Sequence, residues 1–211
     1  IHGHNHPAVF EAAVNQLRKG PVFGSPGIAQ VELAEILCER LPSVDRIRFC
    51  NSGTEATMMA MRAARAYTGK DVILKIDGGY HGTHDFACVN ATPCMGLGDS
   101  SAPKTDGRGV PSCVLDAMMV VPFNDVETVE AKLRQHQDKI AAIIVEPSLS
   151  CGLVLPQDGY LEAIRGVADR YDVLLIFDEV VTFRASLGGL QALAGVTPDL
   201  IRISVGLENV D

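Results

Sequence analysis

Apolar positions along this chain follow two alternating rhythms. In residues 7–19, Val9, Ala12, Ala13 and Leu17 share one face at helical spacing until Gly20-Pro21 ends the run. Residues 30–40 repeat it with Val31, Leu33, Ala34, Ile36 and Leu37, and Leu41-Pro42 stops it. A long Ala- and Met-rich helix is predicted over 54–67, closed by Thr68-Gly69, and further helices over 126–137 and 161–171. Between them stand short apolar runs at 46–50, 72–76, 118–121, 140–145 and 173–177, each of strand length and too short to cross a bilayer. Apolar strands separated by helices predict an α/β fold, a mostly parallel sheet sandwiched by helices. Residues 78–111 fit neither rhythm and are rich in Gly, Pro, Ser, Asp and Thr, which in a compact domain points to a functional or mobile segment.

In such a sheet, ligands bind beyond the carboxyl ends of the strands. Four polar clusters fall there: Asn51-Ser52-Gly53-Thr54 after 46–50, Gly78-Gly79-Tyr80-His81 after 72–76, Glu146-Pro147 after 140–145, and Asp178-Glu179 after 173–177. The first opens a helix, whose N-terminal N–H groups and dipole favour an anion such as phosphate. The last puts a carboxylate at a strand end, suited to keeping a pyridinium nitrogen protonated. Each cluster also has a plainer reading. Ser52 or Thr54 can be an N-cap, with Ser52-Gly53-Thr54-Glu55 a capping box, Tyr80-His81 a loop pair, and Glu146 and Asp178 a solvated acid and a turn cap.

Composition narrows the function. The 211 residues are 47% hydrophobic, enough for one large domain or one and a half. A net charge of −8, with its acids scattered, leaves no nucleic-acid footprint. Six cysteines have no CxxC spacing and Ile1-His2-Gly3-His4 does not read as a secretory signal, so a reduced, cytoplasmic, membrane-free protein is expected. His2, His4 and His6 alternate without acidic or cysteine partners nearby, which disfavours a metal site, and no cysteine has the neighbouring His of a nucleophile. GxGxxG and GxxxxGK[ST] patterns are absent, which disfavours a generic nucleotide-binding domain.

Seven blocks in register carry a resemblance: Gly3-His4-Asn5-His6-Pro7, Phe23-Gly24-Ser25-Pro26, the run from Val44 through Ala56, Gly79-Tyr80-His81-Gly82, Pro122-Phe123-Asn124-Asp125, Glu146-Pro147, and the run from Phe177 through Arg184. Over 1–200 the chain resembles the class III aminotransferases, particularly the glutamate-1-semialdehyde aminomutase branch. The resemblance implies part of the large domain of a fold type I enzyme that uses pyridoxal 5'-phosphate, acts on a small amino acid or amino aldehyde, and works as a homodimer. It also implies roles. Ser52, Gly53 and Thr54 would hold the phosphate; Tyr80 would stack on the pyridine ring with His81 beside it; Val180 would press the other face; Asp178 would pair with the ring nitrogen, supported by Glu146. Two loops depart from the aminomutase pattern: Asp178 through Arg184 lacks an extra glycine before Phe183, and Glu146 through Gly152 is less rich in asparagine.

The family's Schiff-base lysine is expected just beyond Leu200. The sequence there, 201–211, has no lysine and instead resembles a segment of Cys/Met-metabolism enzymes of the same fold type. The candidates are Lys19, Lys70, Lys75, Lys104, Lys132 and Lys139, all in segments whose family counterparts do not hold the cofactor covalently. The expectation is therefore a cofactor-binding chain of aminomutase or aminotransferase type without its catalytic lysine; the alternative is a noncatalytic fragment or pseudoenzyme that keeps the cradle.

Overall fold

The computed structural model describes residues 3–41, 44–92 and 102–193. The tail at 201–211 lies outside the described residues. Helices α1 (Pro7–Lys19) and α2 (Ile28–Arg40) come first, then α3 (Gly53–Thr68) and strand β1 (Val72–Ile76). A loop and a 3-10 turn (Ser112–Ala117) lead to β2 (Met118–Val121), followed by α4 (Val126–His136), β3 (Ile140–Val145), α5 (Tyr160–Arg170), β4 (Leu174–Phe177), a 3-10 turn (Phe183–Ala185) and α6 (Gly189–Leu193).

Local signals set these limits. Ser52 caps α3 by accepting from Glu55 N at 3.2 Å, and Gly69, at φ 69°, closes it in the left-handed conformation. Asp125 caps α4 by accepting from Thr128 N at 2.9 Å.

All four strands run parallel in the order β2-β1-β3-β4. The sheet is buried on both sides, as strands with continuous apolar runs require. Val72, Leu74 and Ile76 of β1 face one core, with Val129 and Leu133 of α4 and Leu161, Ile164 and Val167 of α5. Ile73 faces the opposite core, with Ala60, Met61 and Ala64 of α3 and Val120, Ile144 and Ile176 of the neighbouring strands. At roughly 1.5–3 kcal/mol for each fully buried large aliphatic side chain, these two cores supply the main drive to fold.

The strand expected at 46–50 does not form. Ile47 and Phe49 instead line a groove against Val31, Ala34 and Cys38 of α2. Asn51 N donates to Glu55 Oε2 at 2.8 Å, which turns the chain into α3. An apolar run of strand length makes a strand only where a neighbour takes its backbone hydrogen bonds, and here no described strand does.

From β1 the chain moves to one side to reach β2, and from β3 to the other side to reach β4. The connections diverge between β1 and β3, where an open parallel sheet leaves a crevice at its carboxyl rim.

Candidate functional site

The four polar clusters meet at that rim and are tied to one another. Tyr80 N, after β1, donates to Glu146 Oε2, after β3, at 2.8 Å, and Ser150 N donates to Glu146 Oε1 at 3.4 Å. His81 Nδ1 lies 2.8 Å from Asp178 Oδ2, after β4. A carboxylate only accepts, so Nδ1 carries the proton of this bond. Asp178 is fixed further by its own N–H, which donates to Val145 O at 2.9 Å, and by Val180 N, which donates to Oδ1 at 3.2 Å.

The start of α3 joins the cluster through Thr57, fully buried, whose hydroxyl lies 2.6 Å from the His81 carbonyl and donates to it. Thr83 N donates to Thr54 Oγ1 at 3.2 Å. Gly82 makes this docking possible: at φ +97° a β-carbon there would stand 2.6 Å from the Thr54 Cα. Gly79 is small for a related reason, since its β-carbon would lie 2.9 Å from His81 Nε2.

Sequence-predicted residues thus divide into two kinds. Glu146, Asp178 and His81 are buried, whereas Tyr80 is 51% and Val180 44% exposed, so an acidic floor lies beneath two half-open flanking side chains. Ser52, Gly53 and Thr54 occupy the cap and first two positions of α3. The plainer reading of Ser52 holds in that it caps the helix and Glu55 reaches back, but a hydroxyl oxygen that accepts from Glu55 N still has its own proton to donate.

Electrostatics follow from burial. Removal from water pushes the Glu146 carboxyl above its ordinary range, opposed by His81 and by the N–H of Tyr80. His84, beside Thr57, is pushed down to about 4, first by burial and then by His81. Among the described residues His81 Nε2 is buried without a hydrogen-bond partner, an orphan polar atom beside Gly79.

Two residues that hold the cluster together escaped the reading of the sequence. Thr57 sits inside an apolar helix pattern and gave no signal. Lys75 did: a lysine within Val72-Ile73-Leu74-Lys75-Ile76 is an anomaly in a strand buried on both faces. It is fully buried, and its Nζ donates to the carbonyls of Gly79 and Val89 at 2.6 Å and of Asn90 at 3.0 Å. Burial pushes its ammonium down to about 8, against the pull of Asp106, Asp77 and Glu146.

A model of the family described as aminotransferase class-III matches residues 1–209. A curated relative from Methanocella arvoryzae, a glutamate-1-semialdehyde 2,1-aminomutase, is 46% identical over 202 residues, which cover 95% of this chain and 46% of that protein. Among solved structures, an omega-transaminase from Sphaerobacter thermophilus superposes with a TM-score of 0.85 at 43% identity, covering 94% of this chain and 46% of its own. A transaminase with PLP bound superposes with a TM-score of 0.84 at 38% identity over the same shares. The chain spans about half the length of the relatives it matches.

Proposed function

The chain belongs to the class III aminotransferase family, and on that premise we propose that its strand-end rim holds pyridoxal 5'-phosphate for amino-group transfer of aminomutase or aminotransferase type. The observation that carries this reading is the buried carboxylate of Asp178, oriented by His81 and by Val180 N on the same rim as the start of α3.

The residues fit the group. The opening turn of α3, with Ser52, Gly53 and Thr54, provides N–H groups, hydroxyls and a dipole for the phosphate. Asp178 retains lone pairs on both oxygens and would hold a proton on the ring nitrogen, while His81 fixes the orientation of that carboxylate. Tyr80 and Val180, half exposed, would cover the two ring faces and exclude water. Glu146 anchors the Tyr80 backbone and so the position of its ring. When bound, the cofactor supplies an electron sink for a carbanion at the amine-bearing carbon.

The substrate class that suits this family is a small amino acid or amino aldehyde. A homodimer is supported by apolar side chains left in solvent on α1 and α2, among them Phe10, Leu17, Ile28, Val31 and Ile36. A cytoplasmic setting is supported by the free thiols of Cys38, Cys50, Cys88, Cys113 and Cys151. No helix among the described residues is long and apolar enough to cross a membrane. Residues 1–200 are read as part of the cofactor-binding large domain and 201–211 as a divergent tail.

A second reading, a noncatalytic chain that keeps the cradle, rests on the lysines. The amine of Lys75, the lysine nearest the proposed cradle among the described residues, is already engaged by three carbonyls. Incubation with pyridoxal 5'-phosphate, borohydride treatment and mass mapping separates the two. One specifically modified lysine together with amine exchange on an added amino donor supports the catalytic reading; saturable binding without a modified lysine supports the second. No saturable binding overturns both.

A further inference from the structure

Lys75 lies in β1, on the face shared with Ile73 and turned toward α3, and is completely buried. Its three carbonyl acceptors are not neighbours in sequence. Gly79 immediately precedes Tyr80, whereas Val89 and Asn90 stand at the far end of the same loop. One ammonium thus pins both ends of the segment that presents Tyr80 and His81. An ammonium has a hydrogen for each of the three carbonyls, of which Asn90 O also accepts from Gly78 N at 2.9 Å; a neutral amine makes weaker, uncharged bonds, and an apolar side chain removes the lysine donor from the Gly79 and Val89 carbonyls altogether.

We infer that Lys75 is a positioning residue for the ring-holding end of the site: its ammonium fixes the Gly79 carbonyl and thereby the turn that carries Tyr80 and His81. The inference rests on the proposed cofactor role of that turn. It distinguishes the ring end from the phosphate end, because α3 is also held by its own cap and by Ala60, Met61 and Ala64 packed against the sheet, supports that the turn at Gly79 does not share. Around the ammonium stand Asp77 at the end of β1, Glu146 after β3, and Asp106, Cys88 and His84 of the loop, and the acids favour its charged form.

The test uses pyridoxamine 5'-phosphate, which forms no imine with lysines, and glycerol phosphate as a competitor that engages only the phosphate end. In Lys75→Met, with far-UV circular dichroism unchanged, Kd for pyridoxamine phosphate should rise about tenfold and its induced circular dichroism should weaken. The inhibition constant of glycerol phosphate should stay within about twofold. Equal losses for both ligands, or no loss for either, overturn the inference. If the wild-type chain binds neither ligand, the cofactor reading itself fails.

Should the variant not fold, the wild-type chain provides the measurement. Protection of the Tyr80 amide, corrected for base-catalysed exchange, should fall about tenfold more than that of Ile143 between pH 7 and 9.5, as the ammonium loses its proton. A parallel fall at both amides overturns the inference.

Discussion

Helices α1 and α5 carry the same kind of apolar stripe and end in opposite surroundings. α1 and α2, of 13 residues each, bury none. α5, of 11, buries Tyr160, Leu161, Ile164, Val167 and Ala168 against the sheet. A 3.6-residue period is enough to specify a helix, but what covers its stripe depends on a surface supplied elsewhere. For α3, α4 and α5 that surface is the parallel sheet; among the described residues nothing comparable covers α1 and α2. The same contrast marks the site, where each of the buried acids is held by contacts from distant segments.

The largest effect expected is in the sheet. Ile143→Ala, at a fully buried position of β3, should cost about 2–5 kcal/mol in denaturant unfolding, from lost transfer free energy plus the cavity left behind. Ile28→Ala, at a side chain 79% exposed, should stay within about 0.5 kcal/mol in dilute solution. Comparable losses at both positions would erase the distinction between the covered sheet and the uncovered helix α2.

At the site, Asp178→Asn should weaken pyridoxamine phosphate binding roughly ten- to a hundredfold, the scale of a hydrogen bond to a charged group. Thr54→Ala should weaken it by roughly fivefold, since a neutral hydrogen bond contributes about 1 kcal/mol. Unchanged affinity in both variants, measured by fluorescence titration, would remove the basis of the site assignment.

A pH effect tests burial near Thr57. Because His84 is held at about 4 in the fold against an ordinary 6.5, the unfolded chain takes up a proton between those values that the folded chain refuses. Stability should therefore fall as pH drops through that interval, and His84→Gln should flatten the slope. An identical slope in both chains would show that His84 is not shielded.

The smallest effect on folding and the most specific on association belongs to α2. If the proposed homodimer uses this face, Ile28→Ser with Val31→Ser should leave monomer unfolding nearly unchanged while sedimentation shows weaker self-association than in the wild-type chain. Unaltered self-association, or none in the wild-type chain, would overturn the proposed contact on α2.

Most of the framework was readable without coordinates. Residues 7–19, 72–76, 118–121 and 140–145 coincide with α1, β1, β2 and β3, because local periodicity and Gly or Pro breaks act within a few residues. Three of the four polar clusters follow strands that form, β1, β3 and β4, whereas Asn51 to Thr54 was expected after a strand that does not. The strand expected at 46–50 was not, because an extended run without a ladder partner keeps its apolar side chains for another surface, here α2. Thr57 was hidden inside a helical pattern, and its role depends on a carbonyl 24 residues away.

By itself, then, the sequence determined the order and kind of the elements from 53 onward, the parallel sheet and the residue types gathered at its rim, but not the fate of the run at 46–50. Those follow from local propensity and from the need of apolar strands to be covered on both faces. Only the tertiary structure decided that Asp178 is paired with His81, that Glu146 holds the Tyr80 backbone rather than standing in solvent, and that Lys75 closes the loop between them. These are contacts across 66 and 97 residues, or several acceptors converging on one ammonium. Such contacts depend on how strands stack side by side, which no local pattern encodes.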